Sequence, residues 1–484
     1  MKQLMNWIGG QRLPSNTEKW LTRYSPNGAE PSVSFPQSDI IDVVLAFQSA
    51  QKAYLDWKKT TIEVRSNFLQ TVAQKIEDRS EELAKIQSQD QGMPIRFSRT
   101  ESLPRTVKIF RKTAECLGDL MPQENIKVDN GDSVQQRYCS IGVVGILTPW
   151  SDPLVILARQ ISAAMAAGNS IILKPSEYAP DTANSMAGIV TETLQEMSLP
   201  TGVFNLVHGI GAEVGAALAQ HPGVPALSFT GQIDNGREVL RLSSEFLKKV
   251  NLQLGGKNSI LVFAGVDLEH VAEQIVQNQI RFHSQTCLHG ARLMVQDKIQ
   301  SEFLEHLRAK FRNLRVGSSL DEATDVGPLG NVDQFEKFNR AVSLAVREKG
   351  KLHIDLSSSE TSKGYFVRPS MVSDLTQCSV LQQEEVIGPF LSLSSFKYQH
   401  EAVKLANSVS TMQQAAFVFH PDREKLEKIN FQLEAGRIGL NTFEVWPNEA
   451  WTSLGSKGLG IGVSSGQELF EFYSSRRLTR QQFP

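Results

Sequence analysis

The chain has 484 residues, of which 40% are hydrophobic and 34 are glycine, a composition typical of globular proteins and unlike collagen or a disordered chain. Its 50 lysines and arginines nearly balance 52 aspartates and glutamates, so the net charge of −2 gives no reason to expect a nucleic-acid or membrane partner. The length allows roughly three domains of about 150 residues, which excludes a single small binding module.

The four cysteines are too few and too scattered to form a disulfide framework, and no C-x-x-C motif suggests a structural zinc site. The amino terminus lacks the apolar run of about 7–15 residues that a signal peptide needs. No stretch approaches the roughly 18 apolar residues that span a bilayer. We therefore expect a cytoplasmic protein that holds no metal.

Helices are predicted over residues 37–118, after an extended lead-in over residues 1–36 that is rich in turn formers. Ser38 is the expected N-cap of the first helix, with Asp39 and Asp42 in its first turn. The expected apolar face of this helix consists of Ile40, Val43, Val44, Phe47 and Tyr54.

A second helix is predicted to begin at Thr60, which forms a capping-box pattern with Glu63. Its expected apolar face consists of Val64, Phe68, Val72 and Ile76. A break is expected near Gly92 and Pro94, since both residues disfavour a continuous helix.

From residue 141, short β-branched runs alternate with helical stretches, a pattern typical of βαβ units. The five runs are Val143–Leu147, Ser170–Lys174, Val203–Val207, Ala226–Phe229 and Val250–Leu254. Between the first two, Asp152 is the expected N-cap, Pro153 the first helical residue and Gly168 the C-cap. These runs predict a doubly wound dinucleotide-type sheet.

A second alternating series predicts a second α/β domain. Its runs are Ser259–Phe263, Arg292–Val295, Phe390–Ser395 and Ala415–Phe419. The polar stretch Pro122–Gln136 has the composition of an arm or linker, and Ser357–Ser359 that of a surface loop.

Two glycine loops follow predicted strands. The segment from His208 to Gly215 has the spacing G-x-G-x-x-x-G, one residue longer than the dinucleotide fingerprint, and includes Gly211. The other loop runs from Phe229 through Gly231 to Gly236. Each loop is compatible either with phosphate binding at a helix N-terminus or with a plain strand-to-helix turn.

Lys174 and Glu177 close the second strand, where a parallel sheet places its ligands. Lys174 suits a ribose or phosphate, whereas Glu177 suits ribose hydroxyls and would repel a 2′-phosphate. A solvated charge pair is the other interpretation.

Cys287 lies in a loop between a predicted helix, Leu268–Phe282, and a strand. A thiol there is either a nucleophile or a small buried apolar side chain. His283 and His289 flank it and are either polar loop residues or candidate bases.

Together these segments resemble the aldehyde dehydrogenase superfamily over nearly the whole chain. The motifs that carry the resemblance, in order, are Thr148-Pro149-Trp150, Ala167-Gly168-Asn169, Lys174-Pro175-Ser176-Glu177, Phe229-Thr230-Gly231, Leu254-Gly255-Gly256-Lys257, Gln285-x-Cys287, Gly364-Tyr365-Phe366 and Glu384-Glu385-Val386-Ile387-Gly388-Pro389.

The resemblance implies that Cys287 attacks an aldehyde, that a hydride then passes to a nicotinamide and that a thioester remains. It implies Lys174 and Glu177 at the adenosine ribose, Gly231 at the pyrophosphate and Glu385 at the nicotinamide ribose. By the same resemblance, the further cofactor residues are Thr148, Trp150, Gly211, Phe229, Gln232, Leu254 and Ile387. Glu177 favours NAD over NADP.

Several positions depart from the family's pattern. Ser151 replaces the asparagine that donates to the oxyanion, and Gln253 replaces the glutamate that acts as general base. A lost oxyanion donor costs about 10²–10³ in rate, and general-base assistance is worth about 10²–10⁴. Further departures are Ser284 for Gly, Gln232 for Ser, Ile387 for Phe, and a degraded motif at residues 450–458.

Three functions remain open. The first is NAD-dependent oxidation of an aldehyde to a carboxylic acid, with His283 or His289 as a possible replacement base. The second is acyl transfer to coenzyme A, and the third is an impaired NAD-binding relative.

The resemblance also divides the chain. It implies an NAD-binding domain over residues 1–120 and 141–252 and a catalytic domain over 253–450. Arms at 121–140 and 465–484 would build a homodimer or homotetramer.

Overall fold

Two seven-stranded β-sheets, each packed against helices, form the framework of the protein. The computed structural model describes residues 1–120, 124–127, 133–354, 363–409, 413–445, 460–463 and 465–481. The strands are β1 (Lys2–Gln3), β2 (Asn6–Ile8), β3 (Gln11–Leu13), β4 (Trp20–Tyr24), β5 (Pro31–Pro36), β6 (Glu124–Lys127), β7 (Ser133–Ser140), β8 (Val143–Leu147), β9 (Ser170–Lys174), β10 (Phe204–Leu206), β11 (Ala226–Gly231), β12 (Lys249–Leu254), β13 (Ser259–Val262), β14 (Arg292–Gln296), β15 (Lys351–Leu352), β16 (Ser370–Ser373), β17 (Phe390–Phe396), β18 (Ala416–Phe419), β19 (Ile438–Leu440) and β20 (Ser474–Gln481).

Helices cover both faces of the large sheets. They are α1 (Ile40–Trp57), α2 (Ile62–Asp78), α3 (Ser80–Gln91), α4 (Ile95–Phe97), α5 (Leu103–Leu120), α6 (Pro153–Ala166), α7 (Pro180–Glu196), α8 (Ala216–Gln220), α9 (Ile233–Ser244), α10 (Leu268–Ile280), α11 (Gln300–Arg312), α12 (Val332–Arg347), α13 (Val380–Gln383), α14 (Gln399–Ala406), α15 (Arg423–Asn430) and α16 (Gly466–Phe472). Within the described residues, none has the length and apolar character needed to cross a membrane.

The first large sheet has the strand order β12-β11-β8-β9-β10-β2-β3. Strands β8 to β12 pair in parallel, and their order along the sheet is the doubly wound order that the sequence predicts. β8 and β9 have the predicted bounds, whereas Val203 belongs to a 3₁₀ turn before β10. The predicted α/β fold class is confirmed.

The lead-in over residues 1–36 is more structured than predicted. β2 and β3 extend the first sheet by antiparallel pairing, and β1, β5 and β4 form a small sheet of their own. β1, β2 and β3 are only two or three residues long and carry no period that a sequence can reveal. β4 and β5, of five and six residues, are interrupted or flanked by the turn formers that led to the prediction of an irregular lead-in.

The first predicted helix exists as α1, but its cap and its buried face differ from the prediction. Asp39, rather than Ser38, is the N-cap, because its side chain accepts from the backbone N–H of Ile41 at 2.8 Å. Ile40 is 62% exposed and Val44 37% exposed, whereas Val43 is fully buried. The buried face is therefore displaced from the predicted one and runs through Val43, Ala46, Ala50, Ala53 and Trp57.

The predicted cap of α2 is displaced by one residue. Thr61, rather than Thr60, accepts from the backbone N–H of Val64, at 3.2 Å. Phe68, Val72 and Ile76 on its predicted apolar face are fully buried.

Helix α6 begins and ends close to the predicted residues. Asp152 is at the N-cap position, but it has a φ of 41° and its side chain does not cap the helix. That side chain instead accepts from Ser102 Oγ at 2.7 Å. Gly168 follows the C-cap residue Ala167 and has a φ of +86°, the left-handed conformation that favours glycine.

The second large sheet has the strand order β15-β16-β17-β14-β13-β18-β19. It contains all four strands predicted for the second series, each within about one residue of its predicted bounds. β15, β16 and β19 were not predicted.

A third, antiparallel sheet is formed by β20, β7 and β6. β20 pairs with β7 along its whole length, from Ser474 opposite Ser140 to Gln481 opposite Ser133. The predicted arm or linker Pro122–Gln136 contains β6 and the start of β7. Ser357–Ser359 and residues 450–458 lie outside the described residues.

One buried side chain, Asn169, joins β8, α6 and the carboxyl-terminal segment. Its Oδ1 accepts from the backbone N–H groups of Ile141 and Gly142 at 2.7 and 3.1 Å. Its Nδ2 donates to the carbonyls of Ala164 and Tyr473 at 3.2 and 2.7 Å.

We predict that Asn169→Ala destabilises the protein by about 2–4 kcal/mol, because it leaves several buried backbone groups unsatisfied. The urea midpoint of unfolding, followed by circular dichroism, measures this loss. Asn339→Ala on the exposed surface of α12 is the matched control and should leave the midpoint unchanged. Equal midpoints for the two variants would contradict the role of Asn169.

Candidate active site

The first large sheet changes its winding direction between β8 and β11, which are neighbours in the sheet. β8 ends at Leu147 and leads into Thr148, whereas β11 ends at Gly231. In doubly wound sheets, crossovers that leave in opposite directions open a crevice at the carboxyl ends of such strands. The candidate site is built at this point.

A four-residue connector, residues 255–258, leads from β12 into β13 and so joins the two large sheets. Asn258 ends the connector and is buried. Its Nδ2 donates to the carbonyls of Cys287 and His289, both at 2.8 Å, and its Oδ1 accepts from the backbone N–H of Ala415 at 2.9 Å. The residue that begins the second sheet therefore also fixes the backbone of Cys287.

The loop before Cys287 contains two left-handed residues, Phe282 at φ 49° and Ser284 at φ 51°. Ser284 Oγ donates to the carbonyl of Gln279 at 2.5 Å. The side chain of Gln285 accepts from the backbone N–H of Gly330 at 2.8 Å. These hydrogen bonds hold the strained turn in place. Cys287 follows this turn, and its side chain is exposed.

One cavity brings together residues from both sheets, including nine of the predicted site residues. These nine are Trp150, Ser151, Gly231, Gln232, Gln253, Leu254, Cys287, Glu385 and Ile387. The three predicted catalytic residues, Ser151, Gln253 and Cys287, therefore share one space.

Thr148, Lys174, Glu177, Gly211 and Phe229 do not line this cavity. Lys174 Nζ lies 3.0 Å from Glu177 Oε2, and the backbone N–H of Thr148 donates to the Lys174 carbonyl at 3.2 Å. Glu177 lines a separate surface groove. These residues lie at the ends of neighbouring strands of the same sheet.

The glycines of the two loops have different structural roles. Gly209 has a φ of +139°, and a β-carbon there would lie 2.6 Å from Val214 Cγ2, so the turn requires glycine. At Gly211 a β-carbon would meet nothing within 4 Å. At Gly231 it would lie 2.6 Å from Phe229 Cζ, so the Phe229 ring supports this part of the cavity wall.

The orientation of the Gln253 amide follows from one hydrogen bond. Its Nε2 donates to the carbonyl of Val463 at 2.9 Å. Because a carbonyl oxygen can only accept a hydrogen bond, the amide atom that faces it is the nitrogen. The oxygen remains as the acceptor of the amide. Gln253 therefore has a group that can accept a hydrogen bond from water but cannot remove its proton.

Glu385 and Lys257 form a buried, electrostatically coupled pair beside the cavity. Burial raises the pKa of Glu385 to about 7, although the nearby Lys257 opposes this shift. Burial and the charge of Arg292 lower the pKa of Lys257 to about 7. A β-carbon at Gly255 would collide with the Glu385 carboxylate, so glycine permits this close approach.

Solvent reaches the Cys287 side chain through the cavity, but the protein atoms around the sulfur still raise the pKa of the thiol by desolvation. The charge of Glu385 also raises this pKa, whereas the charges of Arg437 and Arg159 lower it. His289 is buried and does not line the cavity. Its Nδ1 lies 2.7 Å from the Thr286 carbonyl, and burial lowers its pKa to about 4. His289 is therefore not brought to the thiol as a base, and the His283 side chain lies outside the described part of the structure.

Sequence reasoning missed several residues of the site. Asn258 and Gln414 are polar residues next to predicted strands, and Gln414 Nε2 donates to the Leu254 carbonyl at 2.7 Å. Arg105, Arg159 and Arg437 also line the cavity. Of these residues, only Arg159 could have been noticed in the sequence, because it is the one charged residue of helix α6.

The fold and this cavity define a dinucleotide-type α/β enzyme. The model of the aldehyde dehydrogenase family matches residues 13–478. The chain belongs to the aldehyde dehydrogenase family, as the sequence motifs indicate.

Known relatives match over nearly their whole length. The chain is 31% identical to the 2-aminomuconic semialdehyde dehydrogenase of Danio rerio over 481 residues, which covers 97% of this chain and 96% of the relative. A crystal structure of PnpE in complex with nicotinamide adenine dinucleotide has a TM-score of 0.94 at 28% identity and covers 99% of this chain and 97% of that chain. An aldehyde dehydrogenase structure from Burkholderia cenocepacia has a TM-score of 0.93 at 29% identity, covering 99% and 98%.

We predict that Ser284→Ala is less stable than Ser284→Gly by about 1 kcal/mol or more, because only glycine adopts the left-handed conformation without strain. Both variants lose the hydrogen bond to Gln279, so their difference isolates the backbone. Thermal unfolding of the two purified variants measures it. If the alanine variant melts at or above the temperature of the glycine variant, the turn is not strained.

Proposed function

We propose that the protein oxidises an aldehyde to a carboxylic acid with NAD, through a covalent adduct on Cys287. One observation carries this proposal: the Cys287 thiol shares a cavity with Gly231, Leu254 and Glu385, which follow or lie near the ends of sheet strands. A nucleophile on one sheet thus faces the ligand crevice of the other.

The residues fit NAD. Helix α9 begins directly after Gly231, and its N-cap residue Gln232 makes no side-chain cap, so the first backbone N–H groups of the helix remain suited to a pyrophosphate. We assign Lys174 and Glu177 to the adenosine ribose and Glu385 to the nicotinamide ribose. Glu177 is the reason for choosing NAD over NADP, because its carboxylate would repel a 2′-phosphate.

The remaining cofactor assignments follow the strand ends. We assign Thr148, Trp150, Phe229, Leu254 and Ile387 to the walls around the cofactor. We assign Gly211, which has open space beside its α-carbon, to a position where the cofactor can come close to the backbone.

The protein's own groups begin the reaction. Cys287 loses its proton to solvent, and its sulfur adds to the carbonyl carbon of the aldehyde, whose oxygen takes up a proton to give a thiohemiacetal. We assign Ser151 Oγ and the Cys287 backbone N–H to the developing oxyanion. When bound, NAD supplies the acceptor for the hydride that leaves the thiohemiacetal, so that a thioester remains.

Gln253 determines how the thioester is resolved. Its amide holds a water by accepting a hydrogen bond, but the water keeps its proton, so hydrolysis is slower than with a carboxylate base. The same neutral amide favours two other outcomes: transfer of the acyl group to coenzyme A, and an impaired enzyme that stops at the thioester.

Rapid mixing of the enzyme with NAD and a panel of aldehydes tests the proposal. We expect one equivalent of NADH in a burst that Cys287→Ala abolishes, followed by a slow steady rate. Gln253→Glu should raise that later rate by about 10²-fold or more, because it restores a general base.

The other outcomes of this experiment are distinct. A later rate that rises only when coenzyme A is added identifies acyl transfer. A burst with no later turnover under either condition identifies the impaired relative, and the absence of any Cys287-dependent NADH refutes the proposed oxidation.

We further propose the domain division stated above, with the three-stranded sheet of β20, β7 and β6 as an oligomerisation arm. Within the described residues, β6 and β20 each pair on one side only, and Leu478 on β20 is 65% exposed. Open strand edges favour pairing with another chain. The four free thiols agree with a reducing, cytoplasmic location.

We predict a homodimer or homotetramer in solution. Size-exclusion chromatography with light scattering should therefore give two or four times the chain mass of 53.7 kDa. A monomer at micromolar concentration would contradict the arm assignment without affecting the proposed reaction.

A further inference from the structure

The cavity that contains Cys287 needs a base that Gln253 does not supply. The water that Gln253 orients keeps its proton unless a second group accepts it. Among the described lining residues, Asp152 and Glu385 are the carboxylates, and none is a histidine, lysine or tyrosine. We therefore compared the two carboxylates as acceptors of this proton.

Asp152 is engaged by the cavity wall. Its Oδ1 accepts from Ser102 Oγ at 2.7 Å, and its Oδ2 lies 3.8 Å from Arg105 Nη1. Only 9% of the surface of Asp152 is exposed. Both of its oxygens therefore already face a donor or a cation, which leaves little room for a water of the cavity.

Glu385 differs from Asp152 in its contacts. Its carboxylate makes no hydrogen bond with the described residues, and its side chain is only half-buried beside the cavity. Glu385 Oε2 lies so close to Gly255 that a β-carbon there would collide with it. Because Gly255 is two residues after Gln253, this contact places the carboxylate beside the strand end that carries the amide.

The electrostatics of Glu385 suit a base that works at neutral pH. Burial raises the pKa of its carboxyl to about 7, and the charge of Lys257 opposes this shift. The carboxylate is also close enough to Cys287 for its charge to raise the pKa of the thiol. A general base is most effective when its pKa is near the pH of the reaction.

We propose that Glu385 is the general base for hydrolysis of the thioester on Cys287, and that it acts on a water oriented by Gln253. This inference rests on the proposed oxidation and names the group that supports its slow later rate.

The proposed step moves one proton and one acyl group. An O–H bond of the water breaks, and its proton passes to a carboxylate oxygen of Glu385. The water oxygen bonds to the acyl carbon as the carbon–sulfur bond breaks, and the electron pair of that bond returns to the sulfur as thiolate. Glu385 then releases the proton to solvent.

The two assignments of Glu385 belong to successive steps. The nicotinamide ribose needs the carboxylate during hydride transfer, whereas the water needs it only after the thioester has formed. Because one carboxylate serves both steps in turn, hydrolysis should be slower than with a separate base at residue 253.

An activated ester tests this base without the cofactor. p-Nitrophenyl acetate transfers its acetyl group to a thiolate and releases p-nitrophenolate, so a thioester forms on Cys287 with neither NAD nor hydride transfer. The burst of p-nitrophenolate counts the acylated thiols, and the later rate reports thioester hydrolysis. Cys287→Ala gives the background from other thiols such as the exposed Cys378.

We expect Glu385→Gln to lower the later rate per acylated Cys287 by about 10²-fold, because a neutral amide cannot accept the proton. Glu385→Asp should give an intermediate rate, since it keeps a carboxylate with a shorter reach. Glu384→Gln is the matched control, because it makes the same change at the exposed neighbouring residue, and it should leave the rate unchanged. An undiminished later rate in Glu385→Gln overturns the proposal.

The pH profile distinguishes a base from a structural role. The charged residues around Glu385 are Lys257 in the connector, Arg292 at the start of β14, which acts on Lys257, and the neighbouring Glu384. The later rate of the wild-type protein should rise as Glu385 loses its proton, through a pH of about 7, and then reach a plateau. Glu385→Gln should lack this plateau. A wild-type rate that rises in proportion to hydroxide without a plateau would show direct attack by hydroxide and overturn the proposal.

The Gln253→Glu background provides a second distinction. The new carboxylate takes the proton there, so Glu385→Gln should change the later rate little. A structural fault caused by Glu385→Gln would lower the rate equally in both backgrounds and would refute the role as base. If Glu385→Gln does not fold, the wild-type pH profile and the rate of Glu385→Asp decide the question.

Failure of this inference differs from failure of the proposed function. A Cys287-dependent burst whose later rate does not depend on Glu385 refutes the base and leaves the oxidation intact. A later rate that depends on Glu385, without NADH from any aldehyde, refutes the oxidation and leaves a cavity that hydrolyses a thioester. The absence of any Cys287-dependent burst refutes both, because the thiol is then not a nucleophile.

Discussion

The side chain of Asn258 is the constraint on which the site depends. Its three hydrogen bonds join the start of β13, the Cys287 loop and the segment before β18. Because only residues 255–258 separate β12 from β13, the position of Gln253 at the end of one sheet is coupled to that of Cys287 at the start of the other. Moving a buried amide whose nitrogen and oxygen both make hydrogen bonds is costly, so this geometry is fixed before any ligand binds.

The backbone around the site stores strain that this framework must support. Asp152, Phe282 and Ser284 adopt left-handed conformations without being glycine. Asp152 and Phe282 line the cavity, and Ser284 directly precedes the lining residue Gln285. Such residues persist only where their surroundings hold them, as the bond from Ser284 Oγ to Gln279 does. Cys287 follows this strained turn and lines the cavity.

The sequence predicted the parts of this structure that depend on local pattern. Val143–Leu147 and Ser170–Lys174 are buried on both faces and flanked by turn residues, so their bounds matched the prediction. The cap at Asp39 did not follow from pattern, because the choice over Ser38 depends on Asp42, which also accepts from the distant Asn16 at 3.0 Å. The presence of Arg105, Arg159 and Arg437 in one cavity could not be predicted, since these residues lie far apart in the chain.

The neutral amide at Gln253 and the arginines act in the same direction on the charge of the cavity. A carboxylate at residue 253 would repel the Cys287 thiolate, whereas an amide does not. Desolvation and the charge of Glu385 already raise the pKa of the thiol, so a second negative charge at residue 253 would raise it further. The amide that weakens the activation of water therefore also makes the cavity more favourable to the thiolate.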